Sequence, residues 1–328
     1  MNPSETACST TAAASRFART ARKAYDFIAN PKKLFWLKVA IAVVAIFVLI
    51  KTARANVLAA TLLNINTAYL AAAILLVAPN LGIQWLKWHF LLTRTNSTIS
   101  ATDSFKSLIV GFPLGIVTPG RFGEIARGLM IERIPATTAV TLAAIDKTTN
   151  MIVNLAVGMI ALMIWKLGRW EFVAFSALLF LALTASLPKV PAIRTALRKT
   201  ALRPWHYLFM FLCAIIFYSI IVLQLVILLF GFESFDAMMG AGAAAATLLV
   251  KTLLPISFGD LGVREGAAMF FFSEVGVSSA AAFSAAILLF AINVATPTLL
   301  GLCFLFDKSN HLKRSFEFAA NRNLADAG

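Results

Sequence analysis

Six apolar runs, at 34–53, 67–92, 138–165, 171–187, 204–231 and 279–306, constrain this chain more than any other feature. A helix rises 1.5 Å per residue, so about 20 apolar residues cross a hydrocarbon layer about 30 Å thick. In lipid every backbone N–H and C=O must be satisfied internally, and runs of this length do so as helices. The fold class expected is therefore an all-α polytopic membrane protein. The composition, 60% hydrophobic and 13% charged, lies outside the range of aqueous globular enzymes.

Two further apolar regions, 105–133 and 237–276, are broken by glycine, proline and opposed charges, and neither half of either region is long enough to cross alone. The first break reads Thr118-Pro119-Gly120-Arg121-Phe122-Gly123-Glu124-Ile125-Ala126-Arg127. The second reads Pro255-Ile256-Ser257-Phe258-Gly259-Asp260-Leu261-Gly262-Val263-Arg264-Glu265-Gly266. Both hold a Gly-x-x-Gly core followed by a carboxylate and an arginine. Charges inside a membrane are costly, and irregular backbone persists there only where protein or a watery cavity surrounds it. Two such breaks point to a site.

The distribution of basic residues sets the topology. Six Lys/Arg precede the first run (Arg16, Arg19, Arg22, Lys23, Lys32, Lys33), five lie in 188–203 (Lys189, Arg194, Arg198, Lys199, Arg203), and the C-terminal tail carries four. All three segments are expected to be cytoplasmic. The 231–236 turn, with Glu233 and Asp236, faces out. Six full spans satisfy these constraints only if 105–133 begins and ends inside and 237–276 begins and ends outside, each as a re-entrant helical hairpin. The chain then divides into a basic segment 1–33, a membrane domain 34–306 with inverted halves 34–165 and 171–306, and a tail 307–328. Inverted repeats with paired broken helices are a recurrent transporter plan. The alternative is eight full spans with charged loops. Ala53-Arg54-Ala55 after the first run has the outline of a signal-peptide cleavage site. However, the basic leader is longer than a signal n-region, so the first helix is expected to stay as an anchor. The expected location is the inner cell membrane, with both termini cytoplasmic.

Glycines at the breaks let backbone approach a ligand, and a helix starting there offers unpaired N–H groups. Arginine adds a planar, permanently charged donor suited to phosphate. Gly120, Gly123, Gly259, Gly262, Arg121, Arg127, Arg264 and Lys251 are the candidate substrate-binding residues. Glu124, Asp146, Lys147, Asp260, Glu265 and Asn150 are candidates for charge balance or gating. The alternative is that Glu124–Arg127 and Arg264–Glu265 form internal salt bridges that let polar tips sit in protein. Asp146, Asn150 and Asn154 fall on one helical face, as a functional stripe or as interhelical glue. Gln84, Lys87 and Trp88 share another, either facing the interior or forming an interfacial belt with a snorkelling lysine.

The net charge of +14 sits in segments flanking apolar runs, which fits anionic lipid headgroups, and nucleic acid is not expected as a partner. Cys8, Cys213 and Cys303 are far apart, and His89, His206 and His311 are isolated. Neither a disulfide framework nor a metal centre is expected, and no cofactor motif is present.

At the two breaks the chain resembles the lysylphosphatidylglycerol synthase transmembrane family, flippase-like integral membrane proteins, over about 34–306. The residues that carry the resemblance are Pro119, Gly120, Gly123, Glu124 and Arg127 in the first break and Gly259, Gly262, Arg264 and Glu265 in the second. Asp146-Lys147 stands where such proteins often show Asp-Arg, which leaves the charge but not the bidentate geometry. The resemblance implies a lipid translocase, flippase or scramblase, without the soluble aminoacyl transferase domain. Its expected ligand is the phosphate headgroup of an anionic or aminoacylated phospholipid or a polyprenyl-phosphate-linked lipid, and a separate lipid synthase or transferase is a possible partner. The alternatives are an intramembrane lipid-modifying transferase and a membrane scaffold for a lipid synthase.

Overall fold

The computed structural model describes residues 64–167, 204–255 and 262–307. The expected runs 34–53 and 171–187, the basic segments and the tail lie outside these residues, as do Gly259 and Asp260. Among the described residues the chain is helical, with no strand. Four stretches are long and apolar enough to cross a bilayer: Thr67–Thr95, Ala136–Lys166, Trp205–Phe230 and Ser279–Leu305. They coincide with four of the six expected runs.

The first stretch is two helices, α1 (Thr67–Leu75) and α2 (Val77–Thr95). Pro79 explains the break, because its ring clashes with the carbonyl four residues back and removes an N–H. α3 (Ala101–Ile116) is followed by a 3-10 helix, Phe122–Met130, and then by α4 (Ala136–Leu167). α5 (Pro204–Phe230) carries Trp205, Leu208, Leu212, Ile216 and Leu223 on an exposed stripe, a surface suited to hydrocarbon rather than water. α6 (Ala237–Leu253) and α7 (Val263–Ser273) follow. The last stretch comprises α8 (Ser279–Phe290), a π-turn at Ala291–Ala295 and α9 (Thr296–Asp307). There the Thr296 N–H reaches back to the Ala291 carbonyl, an i→i+5 widening just before Pro297.

The two broken regions fold as helical hairpins. The 3-10 helix runs antiparallel to α3. Ser107 Oγ donates to the Arg127 carbonyl at 2.8 Å, and a Cβ on Gly123 would lie 1.8 Å from the Leu114 carbonyl oxygen, so only glycine permits this approach. The ends of the hairpin are tied together. Asn96 Nδ2 donates to the Arg133 carbonyl at 2.9 Å, and the Arg133 guanidinium donates back to the Thr98 carbonyl. In the second hairpin the start of α6 lies by the end of α7, with Phe235 edge-on to Phe272. Its ends are tied by Glu233, which accepts from the Ser278 N–H at 2.8 Å and from the Ser278 hydroxyl. Small residues from Gly240 to Ala246 bring α6 close to α4, the means by which membrane helices pack without a hydrophobic drive.

Candidate functional site

The tips of the two hairpins meet. A Cβ on Gly120 would fall 2.6 Å from Pro255 Cβ, and Gly120 has φ +58°. Arg121, next to it, has φ +57°, a left-handed conformation that costs a non-glycine residue on the order of 1 kcal/mol. Thr118 holds the turn. Its hydroxyl donates to the Gly115 carbonyl at 2.9 Å and accepts from the Gly123 N–H at 2.7 Å.

Beyond the turn, the backbone winding determines where the charges point. In a 3-10 helix there are three residues per turn, so side chains at i and i+3 eclipse. Arg121, Glu124 and Arg127 therefore line one edge, facing α4. Glu124 bridges Arg121 and Lys147, the lysine at 2.9 Å. Asp146 bridges Arg127 and Lys87, the lysine at 2.8 Å. Glu124 does not pair with Arg127: its partner within the hairpin is Arg121, and it is Lys147 and Asp146 of α4 that reach across to Glu124 and Arg127. Arg264 and Glu265 do pair with each other, and Glu265 also accepts from the Gly262 N–H at 2.6 Å, capping α7. Each of the three arginines lies over a ring: Arg121 at 5.3 Å from Phe112, Arg127 at 4.4 Å from Trp88, Arg264 at 5.5 Å from Phe290. Such contacts are worth about 1–2 kcal/mol when desolvated.

Between the hairpin tips, α2, α4, α5 and the π-turn lies a cavity of about 100 Å³. Gly120, Arg121, Glu124, Lys147, Asn150 and Lys251 line it, along with Gln84, Asn154, Asn293, Phe112, Phe217 and Pro255. Three cations thus face one carboxylate among the described lining residues. Arg121 also has a buried Nε–H with no hydrogen-bond partner among the described residues. Of the remaining candidates, Gly123 sits at the hairpin contact, and Arg127 and Asp146 lie behind the cavity with Lys87, all three buried. Gly262, Arg264 and Glu265 are at the start of α7 and do not line the cavity.

Sequence reasoning did not single out Asn80, Gln224 and Asn293. Their amides form a closed set across α2, α5 and the π-turn: Asn80 to Gln224 at 3.3 Å, Asn80 to Asn293 at 3.2 Å, Asn293 to Gln224 at 3.1 Å. The signal available was the spacing Asn80–Gln84–Lys87 on one face of α2, which extends the stripe by one turn.

The fold and the charged cavity define an integral membrane protein of helical spans and broken hairpins. Residues 35–301 match the family described as Lysylphosphatidylglycerol synthase TM region, and the chain belongs to that family. No curated protein and no solved structure matches the chain.

Proposed function

We propose that this protein is a lipid translocase, a flippase or scramblase, that takes a phosphate-bearing headgroup into the cavity between its two hairpin tips. The observation that carries the reading is the contact of Gly120 with Pro255 beside Arg121, Lys147 and Lys251. Broken helices that meet with cations at their tips suit an anionic group held within the membrane. The hairpins are re-entrant from opposite faces, which gives six spans in two inverted halves; the tied ends of each hairpin support this. The basic flanks support cytoplasmic termini, and with them a location in the inner membrane. Arg121 and Lys251 engage phosphate, Glu124 and Lys147 balance charge, and the buried Arg127–Asp146–Lys87 group holds the first hairpin to α4 and α2. The substrates this accommodates are an anionic or aminoacylated phospholipid or a polyprenyl-phosphate-linked lipid.

The test is transfer of a fluorescent anionic phospholipid across proteoliposomes, comparing the parent with Arg121→Ala combined with Lys251→Ala. The double variant is expected to remain folded and to lose most of the transfer, about tenfold or more for each lost charge-assisted contact. Transfer at the parental rate sinks the assignment of this cavity.

A further inference from the structure

The cavity has two chemically different walls. One is the cationic wall just described. The other is made of amides, and its neighbours dictate which way each amide points. Lys87 Nζ can only donate, and it donates to Asn150 Oδ1, so the Asn150 NH₂ is turned away from the lysine. Thr252 spends its hydroxyl proton on the Leu248 carbonyl at 2.8 Å, so it can only accept from Asn154 Nδ2, at 3.3 Å, and Asn154 Oδ1 is left over. Gln84 gives its NH₂ to Asn80, to the backbone oxygen at 3.4 Å and to Oδ1 at 2.7 Å, which leaves Gln84 Oε1. Among the described residues, none of these three leftover groups has a partner. All three residues line the cavity.

The wall therefore offers a paired donor at Asn150 and acceptors at Asn154 and Gln84. A phosphate oxygen uses only donors and an ammonium uses only acceptors, whereas a hydroxyl uses both. An ammonium would also meet Arg121 and Lys147, two cations that share Glu124, the one carboxylate among the described lining residues, so no carboxylate there is left for it. Resting on the translocase reading, we infer that the headgroup this protein selects is an anionic phosphoester carrying uncharged hydroxyl groups, a polyol or sugar phosphate, and not a cationic aminoacyl group. Phosphate meets Arg121 and Lys251, and hydroxyls meet Asn150, Asn154 and Gln84.

The experiment is native mass spectrometry of the full chain in detergent with three lipids of equal acyl chains: phosphatidylglycerol, phosphatidylmethanol and lysyl-phosphatidylglycerol. Glycerol 1-phosphate serves as the soluble arm. Phosphatidylglycerol is expected to bind about tenfold tighter than phosphatidylmethanol, the worth of one or two net hydrogen bonds, and at least as much tighter than the lysyl lipid. Gln84→Leu with Asn154→Leu is expected to bring phosphatidylglycerol and phosphatidylmethanol to the same affinity, removing the roughly tenfold preference. Binding of glycerol 1-phosphate as tight as that of the lipid would move the same headgroup chemistry to a soluble ligand and overturn the lipid reading alone. Equal binding of phosphatidylglycerol and phosphatidylmethanol, or preference for the lysyl lipid, overturns the inference and leaves the translocase reading standing. Binding of none of the four overturns both.

Discussion

Asp146 and Glu124 perform the same electrostatic act on either side of the contact between the first hairpin and α4, in very different surroundings. Each carboxylate bridges two cations, one from the first hairpin: Arg127 and Lys87 for Asp146, Arg121 and Lys147 for Glu124. The Asp146 group is sealed, with Lys87 2% and Arg127 6% exposed. The Glu124 group opens on the cavity. A sealed pair has no other counter-ion to turn to, so its members depend on each other. A pair on a cavity wall can exchange a partner for a ligand or an ion. Equal chemistry thus serves the fold in one place and is free to serve a ligand in the other.

The largest expected effect comes from Asp146→Asn. It leaves Lys87 and Arg127 buried without a counter-charge, at a cost of about 3–5 kcal/mol. Thermal unfolding in detergent should show the greatest fall in apparent melting temperature of any variant named here, unaffected by added phosphate. A variant as stable as the parent but inactive in lipid transfer would reverse the comparison and make the sealed group functional.

Next is Arg121→Gly, which separates stability from activity. Glycine adopts φ +57° without penalty, which offsets most of the lost Glu124 and Phe112 contacts, so the melting temperature should change little, while lipid transfer falls about tenfold through loss of a charge-assisted contact. A clear loss of stability would mean that Arg121 is a structural member of the tip.

The smallest effect belongs to Glu124→Gln. Arg121 and Lys147 lose their shared carboxylate but face the cavity, so the expected cost is about 1 kcal/mol, within reach of rescue by a bound anion. Added inorganic phosphate should restore the melting temperature of this variant more than it raises that of the parent. Failure of that rescue would show the Glu124 group to be as closed as the Asp146 group.

Much of the architecture was legible because a bilayer imposes a length and a hydrophobicity on each span. The runs 67–92, 138–165, 204–231 and 279–306 reappear as helices, and the breaks at Gly120 and Pro255 fall at hairpin tips. The grouping of Asn150 and Asn154 on one face also survives, because both line the cavity. Lys87 was ambiguous. A lysine near the end of an apolar run has the same local pattern whether it snorkels to an interface or is buried against a carboxylate 59 positions away.

By itself, the sequence determined that the chain is a helical membrane protein, where four of its spans run, and which two segments are broken, since those follow from residue counts and local backbone chemistry. Only the tertiary structure decided which charges meet. The 3-10 winding aligns Arg121, Glu124 and Arg127 on one edge, whereas the α-helical spacing assumed from sequence turns each by about 60° from the last. The π-turn before Pro297 delivers Asn293 to the same cavity, and the contact of Gly120 with Pro255 joins residues 135 positions apart. Such meetings depend on helix packing and backbone winding, which no local pattern of residue types encodes.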